Sequence, residues 1–288
     1  MNTTPELLAS CWTSAGNARP LREDERSPES IGDRIDAVAD AGFTSMGLTH
    51  ADVVSLKQTV GLPSVAEHAA ERGVRIAELE MVMDWYEVED RDLRRAADQV
   101  RDDLLGAAAE LEVGHIKAGC DYLDREWDLD HLALEFGRLC SVADQTGVRV
   151  ALEPQAFCHI KTPEHALRLI EQSEAATAGL CIDIWHLERI GYPHERLAGI
   201  DPARIICVEI NDAAAEPRGT LIEDTIANRL LPGTGAFDLP GFIGSVRAAG
   251  YSGPWGVELL SDDFRRTPLR TALRDAYATT ASVFAALE

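Results

Sequence analysis

Residues 179–191 read GLCIDIWHLERIG, an apolar run with an acid inside it and a histidine just beyond. Successive side chains of a strand point to opposite faces. Leu180, Ile182 and Ile184 therefore share one face, and Cys181 and Asp183 share the other. The bulky face can pack against helices, while the small and acidic face lines something else. The same asymmetry recurs three times. In VRVALEP (148–154), Val148, Val150 and Leu152 oppose Ala151 and Glu153. In IICVEINDA (205–213), Ile206, Val208 and Ile210 oppose Cys207, Glu209 and Asn211. In PWGVELLS (254–261), Trp255, Val257 and Leu259 oppose Gly256 and Glu258.

These four runs belong to a regular alternation. Strands are expected at Leu7–Ser14, Phe43–His50, Val74–Val82, Gly114–Gly119, Val148–Glu153, Gly179–Ile184, Ile205–Asn211 and Trp255–Leu260. Amphipathic segments lie between them at Ile31–Ala41, Val65–Arg72, Leu93–Leu111, Leu132–Gln145, Pro163–Gln172, Leu239–Ala249 and Thr267–Leu287. Several of these end at a Gly that leads straight into the next strand, as at Gly42, the usual left-handed helix stop. Thr162-Pro163 gives a cap followed by proline at the first helical position. Eight strands at a mean spacing of about 36 residues predict an α/β fold, a single (β/α)8 barrel over residues 1–288. A doubly wound open sheet would carry a Gly-rich phosphate loop after its first strand, and CWTSAGN (11–17) is a poor match. The least regular segment, Ala213–Phe237, is long for a connection, and such loops are often functional.

Composition narrows the function. With 27 basic and 49 acidic residues the net charge is −22, which repels phosphate backbones and argues against nucleic acid as a partner. No run approaches the length of a membrane span. The N-terminal MNTTPELLASCWTSAG lacks the basic and apolar regions of a signal peptide. None of the six cysteines forms a CxxC pair. A cytoplasmic protein without disulfides is expected, with a dimer as the default assembly.

In a barrel of this kind the active site lies at the C-terminal ends of the strands. Glu153, Asp183, Glu209 and Glu258 are then expected to converge inside the mouth. Taken singly, each could pair with a loop arginine or cap a helix. Strand interiors rarely hold acids, so four in matched register point to a shared site. Unpaired buried carboxylates repel one another, and a divalent cation resolves the repulsion. Oxygen-rich sites favour Mg2+ or Mn2+, and an added imidazole shifts the choice toward Mn2+, Co2+ or Zn2+. His50, at the end of the second strand, and Lys117, in the fourth, could reach a substrate. An inward Lys must meet an anion, either on the substrate or on an active-site Glu. Trp12 and Glu80 fall at the same end. Trp85 and Tyr86 follow soon after and could serve either a sugar ring or the core. His159 could support Glu153.

The motifs ALEP (151–154), CIDIWH (181–186), VEIND (208–212), LPGTGAFDLPGF (231–242) and GVEL (256–259) resemble the xylose-isomerase-like TIM barrels. That group includes ketose 3-epimerases, inosose dehydratases, dehydroshikimate dehydratases and endonuclease IV. The resemblance covers nearly the whole chain. It implies one divalent metal, Mn2+ before Mg2+, Co2+ or Zn2+, held by Glu153, Asp183, Glu209 and Glu258. The family usually has His where this chain has Glu209, which makes the site more anionic. His186 matches a family histidine near the substrate, and Arg218 resembles a substrate-gripping arginine. The implied activity is that of a sugar isomerase or epimerase. A metal-stabilised enediolate would form as Glu153 and Glu258 exchange the proton on opposite faces of a small sugar or keto-polyol. Expulsion of a β-hydroxyl would instead make it a dehydratase of an inosose or dehydroshikimate-like substrate. A DNA-repair endonuclease would need more histidines and less negative charge, and a barrel that has lost catalysis is the non-enzymatic alternative.

Overall fold

The computed structural model describes residues 5–122, 125 and 127–288. Residues 1–4, part of the segment searched for a leader, lie outside them. Eight parallel strands close in sequence order: β1 Leu7–Ala9, β2 Ser45–Thr49, β3 Arg75–Val82, β4 His115–Ala118, β5 Arg149–Leu152, β6 Gly179–Asp183, β7 Ile205–Ile210 and β8 Trp255–Val257. The barrel shuts where Leu7, Leu8 and Ala9 pair with Trp255, Gly256 and Val257. Most of the ring around it is α2 (Ile31–Ala41), α4 (Leu62–Glu71), α5 (Arg91–Leu111), α6 (Leu129–Asp144), α7 (Pro163–Gln172), α10 (Leu239–Ala248) and α12 (Leu269–Ala285). Shorter helices sit near the strand ends: α1 Cys11–Ser14, α3 His50–Thr59, α8 Ile184–Arg189, α9 Leu221–Ala227 and α11 Asp262–Arg266.

The alternation of residue size sorts the layers as the sequence implies except at the start of β7, where a register shift against β6 puts Ile205 in the outer core and Ile206 against the inner cluster. Val150, Leu152, Leu180, Ile182, Val208, Ile210, Trp255 and Val257 belong to the main buried core between sheet and helices. Ala151, Cys181 and Cys207 form a separate small cluster. All six cysteines are free and buried. Helix ends follow their signals. Gly42, at φ 107°, gives its N–H to the carbonyls of Val38 and Ala39 and stops α2. The Thr162 side chain accepts the His165 N–H at the start of α7.

Three expectations need correction. The first strand ends at Ala9, not Ser14, and Cys11–Ser14 is a helical turn. Thr13 Oγ1 donates to the Val257 carbonyl and accepts the Leu259 N–H, which pins that turn across the end of β8. Expected strand β2 ran to His50, but His50 opens α3, where Thr49 caps the helix by accepting the Asp52 N–H. Strand β8 stops at Val257, so Glu258 lies just beyond it.

Candidate active site

The four carboxylates read from the sequence occupy the mouth, each set by its strand. Asp183 ends β6 and caps α8. Its Oδ1 accepts the Trp185 N–H at 2.8 Å and the Asn211 amide at 2.8 Å. Glu153 follows β5, whose ladder its N–H extends to the Ala118 carbonyl. Its Oε2 accepts from Gln155 at 2.9 Å. Glu209 lies on β7, opposite Gly256 in the register. A Cβ at Gly256 would stand 3.2 Å from Glu209 Cγ and 3.0 Å from Ser10 Oγ, so the glycine makes room for both. Glu209 Oε1 accepts from Ser10 at 2.8 Å and from Lys117 at 2.6 Å. Ligand atoms of Asp183, Glu209 and Glu258 all lie within 4.8 Å of one another, as do those of Glu153, Asp183 and His186.

Two buried cations answer this charge. Lys117 is fully buried and reaches Glu209, Glu80 at 2.7 Å and Glu78 at 3.3 Å. Burial opposes its charge, but Glu209, Glu78 and Glu80 together hold its pKa well above the usual lysine value. Of the two anions open to Lys117, substrate or active-site Glu, its partners here are the protein carboxylates, and it does not line the cavity. Arg218 does not line the cavity either. It is exposed on the loop after β7, where its N–H binds Asp224. The arginine that enters the site is Arg229. Its NH1 donates to Asp183 Oδ2 at 2.7 Å and pairs with Glu258 Oε2 at 2.8 Å. Its NH2 donates to Thr225 Oγ1, and its plane lies over the Trp185 ring.

Sequence reasoning missed Arg229 because it falls in the segment read as an irregular loop. Its signal was a lone charge set against the apolar run Leu230-Leu231. The LPGTGAF motif beside it has a structural cause. Asp212 accepts N–H groups of Gly233, Gly235 and Phe237, and a backbone bridge pairs Asp212 with Leu230. Asp212 thus folds the loop that delivers Arg229.

Six buried carboxylates (Glu78, Glu80, Glu153, Asp183, Glu209 and Glu258) face two buried cations, Lys117 and Arg229. Burial, followed by the charges of Glu209 and Asp183, pushes the Glu153 carboxyl well above the carboxylate range. Burial and Glu209 do the same to Glu258 against the pull of Arg229. The His186 imidazole is held neutral by burial and by Arg229. Its Nδ1 accepts the Ala156 N–H, so Nε2 faces Glu153 Oε1 at 3.6 Å and Asp183 Oδ2 at 3.9 Å. These gaps are too long for hydrogen bonds and near the spacing of two ligands on one ion. The surplus of negative charge and the carboxylate and imidazole donors fit a divalent cation.

The cavity above the carboxylates holds about 350 Å3. Trp12, His50, Glu80, Glu153, His186, Arg229 and Glu258 line its polar side, while Met81, Met83, Val100, Phe157 and Ile222 give an apolar wall. His50 Nε2 is 3.0 Å from Asp103. Trp85 and Tyr86 are buried in the core, with the Trp85 indole donating to the Gly119 carbonyl. His159 is half-buried and off the cavity wall.

A family model described as xylose isomerase-like TIM barrel matches residues 35–282. The 3-dehydroshikimate dehydratase of Pseudomonas aeruginosa is 28% identical over 250 residues, 84% of this chain and 38% of that protein. The inosose isomerase of Bacillus subtilis is 30% identical over 149 residues, 50% of this chain and 52% of that one. The chain thus spans from about two fifths to about half the length of these relatives. Among solved structures, the IOLI protein with a bound zinc atom superposes with a TM-score of 0.82 at 19% identity, covering 98% of this chain and 99% of that one. An L-ribulose 3-epimerase gives 0.74 at 14%, covering 98% and 95%. At these identities the structural likeness shows the fold alone.

Proposed function

Because the chain belongs to the xylose isomerase-like TIM barrels, we propose that it is a divalent-metal-dependent isomerase or epimerase of a small sugar or keto-polyol. The observation that carries this reading is the pair Glu153 and Glu258. They follow strands β5 and β8, on well-separated sides of the closed sheet, and line one cavity. Two carboxyls with raised pKa values, facing one space from different strands, suit proton removal and return beside a carbonyl.

Glu153, Asp183, Glu209 and Glu258 would hold the ion, with His186 beside Glu153 and Asp183. A bound divalent ion would polarise the two oxygens of an α-hydroxyketone and acidify the C–H between them. Glu153 takes the proton on one face and a protonated Glu258 delivers its own proton on the other, the two held in place by Gln155 and Arg229 respectively. Return to the opposite face of the same carbon epimerises; return to the neighbouring carbon isomerises. Lys117 fixes Glu209 in place through its 2.6 Å contact.

A dehydratase is the second reading, favoured by the 84% of this chain that aligns with the dehydroshikimate dehydratase. Here the same deprotonation is followed by loss of a β-hydroxyl. Incubation of the metal-loaded protein with cyclic and open-chain keto-polyols in D2O, followed by NMR, separates the two. Deuterium entering a carbon-bound position with no loss of water supports the first reading. An enone product supports the second.

A further inference from the structure

A second group of metal-ligating side chains lies deeper in the barrel, toward the N-terminal ends of the strands. Glu78 of β3, His115 of β4 and Cys207 of β7 sit two residues before Glu80, Lys117 and Glu209 on the same strands. That step is roughly 7 Å along a strand. One ligand atom from each of the three lies within 4.8 Å of the others. We infer that Glu78, His115 and Cys207 form a second cation site, suited to a borderline-soft divalent ion such as Zn2+ and separate from the carboxylates of the mouth.

Three features support this. First, His115 Nε2 is buried and has no hydrogen-bond partner. Second, the Glu78 carboxylate is divided. Oε1 faces Lys117 at 3.3 Å, while Oε2 faces His115 Nε2 at 4.0 Å. The second gap exceeds a hydrogen bond and lies close to the roughly 3.3–3.8 Å that separates two ligands of a tetrahedral zinc. Third, the donors are one nitrogen, one oxygen and one sulfur, a mixture that favours zinc over the hard ions suited to an all-carboxylate mouth. Cys181 is the cross-strand partner of Cys207.

The test uses the full-length protein stripped with dipicolinate, reloaded with Co2+ and desalted. Metal is counted by mass spectrometry and the near-ultraviolet spectrum is recorded. The wild type is expected to hold two equivalents and to show an intense sulfur-to-cobalt charge-transfer band. C207S should fall to one equivalent and lose the band. H115Q should also fall to one, which keeps the inference testable if the serine variant does not fold. D183N should lose the mouth ion and keep the band. A single wild-type equivalent that survives C207S, or a band that persists in C207S, overturns the floor site. A single equivalent that survives D183N but not C207S supports it and removes the mouth ion instead.

Discussion

Replacing Arg229 with Met leaves Asp183 and Glu258 buried without their cation. The expected loss is about 3–5 kcal/mol, measured by urea unfolding of metal-free protein, and a Lys replacement should recover part of it. Arg229 was also the least legible residue of the mouth. The acids were readable because strand alternation places them, and a strand's period is local. Arg229 reaches the site through a loop fold that Asp212 sets from 17 positions earlier in the chain, and no local period records such a contact. Lys117 was readable as inward-facing, but not which anion it meets, since Glu209 is 92 residues away. E153Q and E258Q should each lower turnover by roughly 100- to 10,000-fold, E258Q also weakening the buried pair with Arg229. An unchanged rate in either would remove that residue from the proton transfer.

Among the elements, helix signals were legible where a cap and an apolar period coincide, as in α7, where Thr162 and Pro163 mark the start. T162A should cost about 1 kcal/mol, read as a lower thermal midpoint. The helices near the strand ends, α1, α3, α8, α9 and α11, were missed: they are held by the barrel rim more than by their own periodicity. The turn into α5 makes a pH prediction. Glu87 Oε1 accepts the N–H groups of Val88, Glu89 and Asp90 at 2.9–3.2 Å. Burial works against its charge, but these three donors and Arg125 hold its carboxyl below the ordinary range. A depressed folded value contributes stability above the unfolded pKa and loses it as pH falls through the folded one. E87Q should therefore be less stable than wild type at pH 7 by about 1–2 kcal/mol. The gap should close as pH falls toward about 3; a gap independent of pH would place the effect elsewhere.

For the whole molecule, the net charge of −22 and the surplus of carboxylates in the mouth act in the same direction. Self-repulsion weakens the compact state and is relieved by salt. A specific ion should do more than screening. At 100 times its dissociation constant, a divalent ion bound only by the folded state adds about 2.7 kcal/mol. Mn2+ should thus raise the thermal midpoint beyond NaCl of equal ionic strength, and EDTA should return it.

The most direct test of the account is solvent exchange. Wild-type, E153Q and E258Q proteins, loaded with Mn2+, are incubated in D2O with inososes and ketohexoses, and carbon-bound deuterium is followed by NMR. The wild type is expected to place deuterium next to the carbonyl of at least one substrate, and both variants to lose at least about 100-fold of that rate. Exchange that proceeds equally in all three proteins would contradict proton transfer by Glu153 and Glu258.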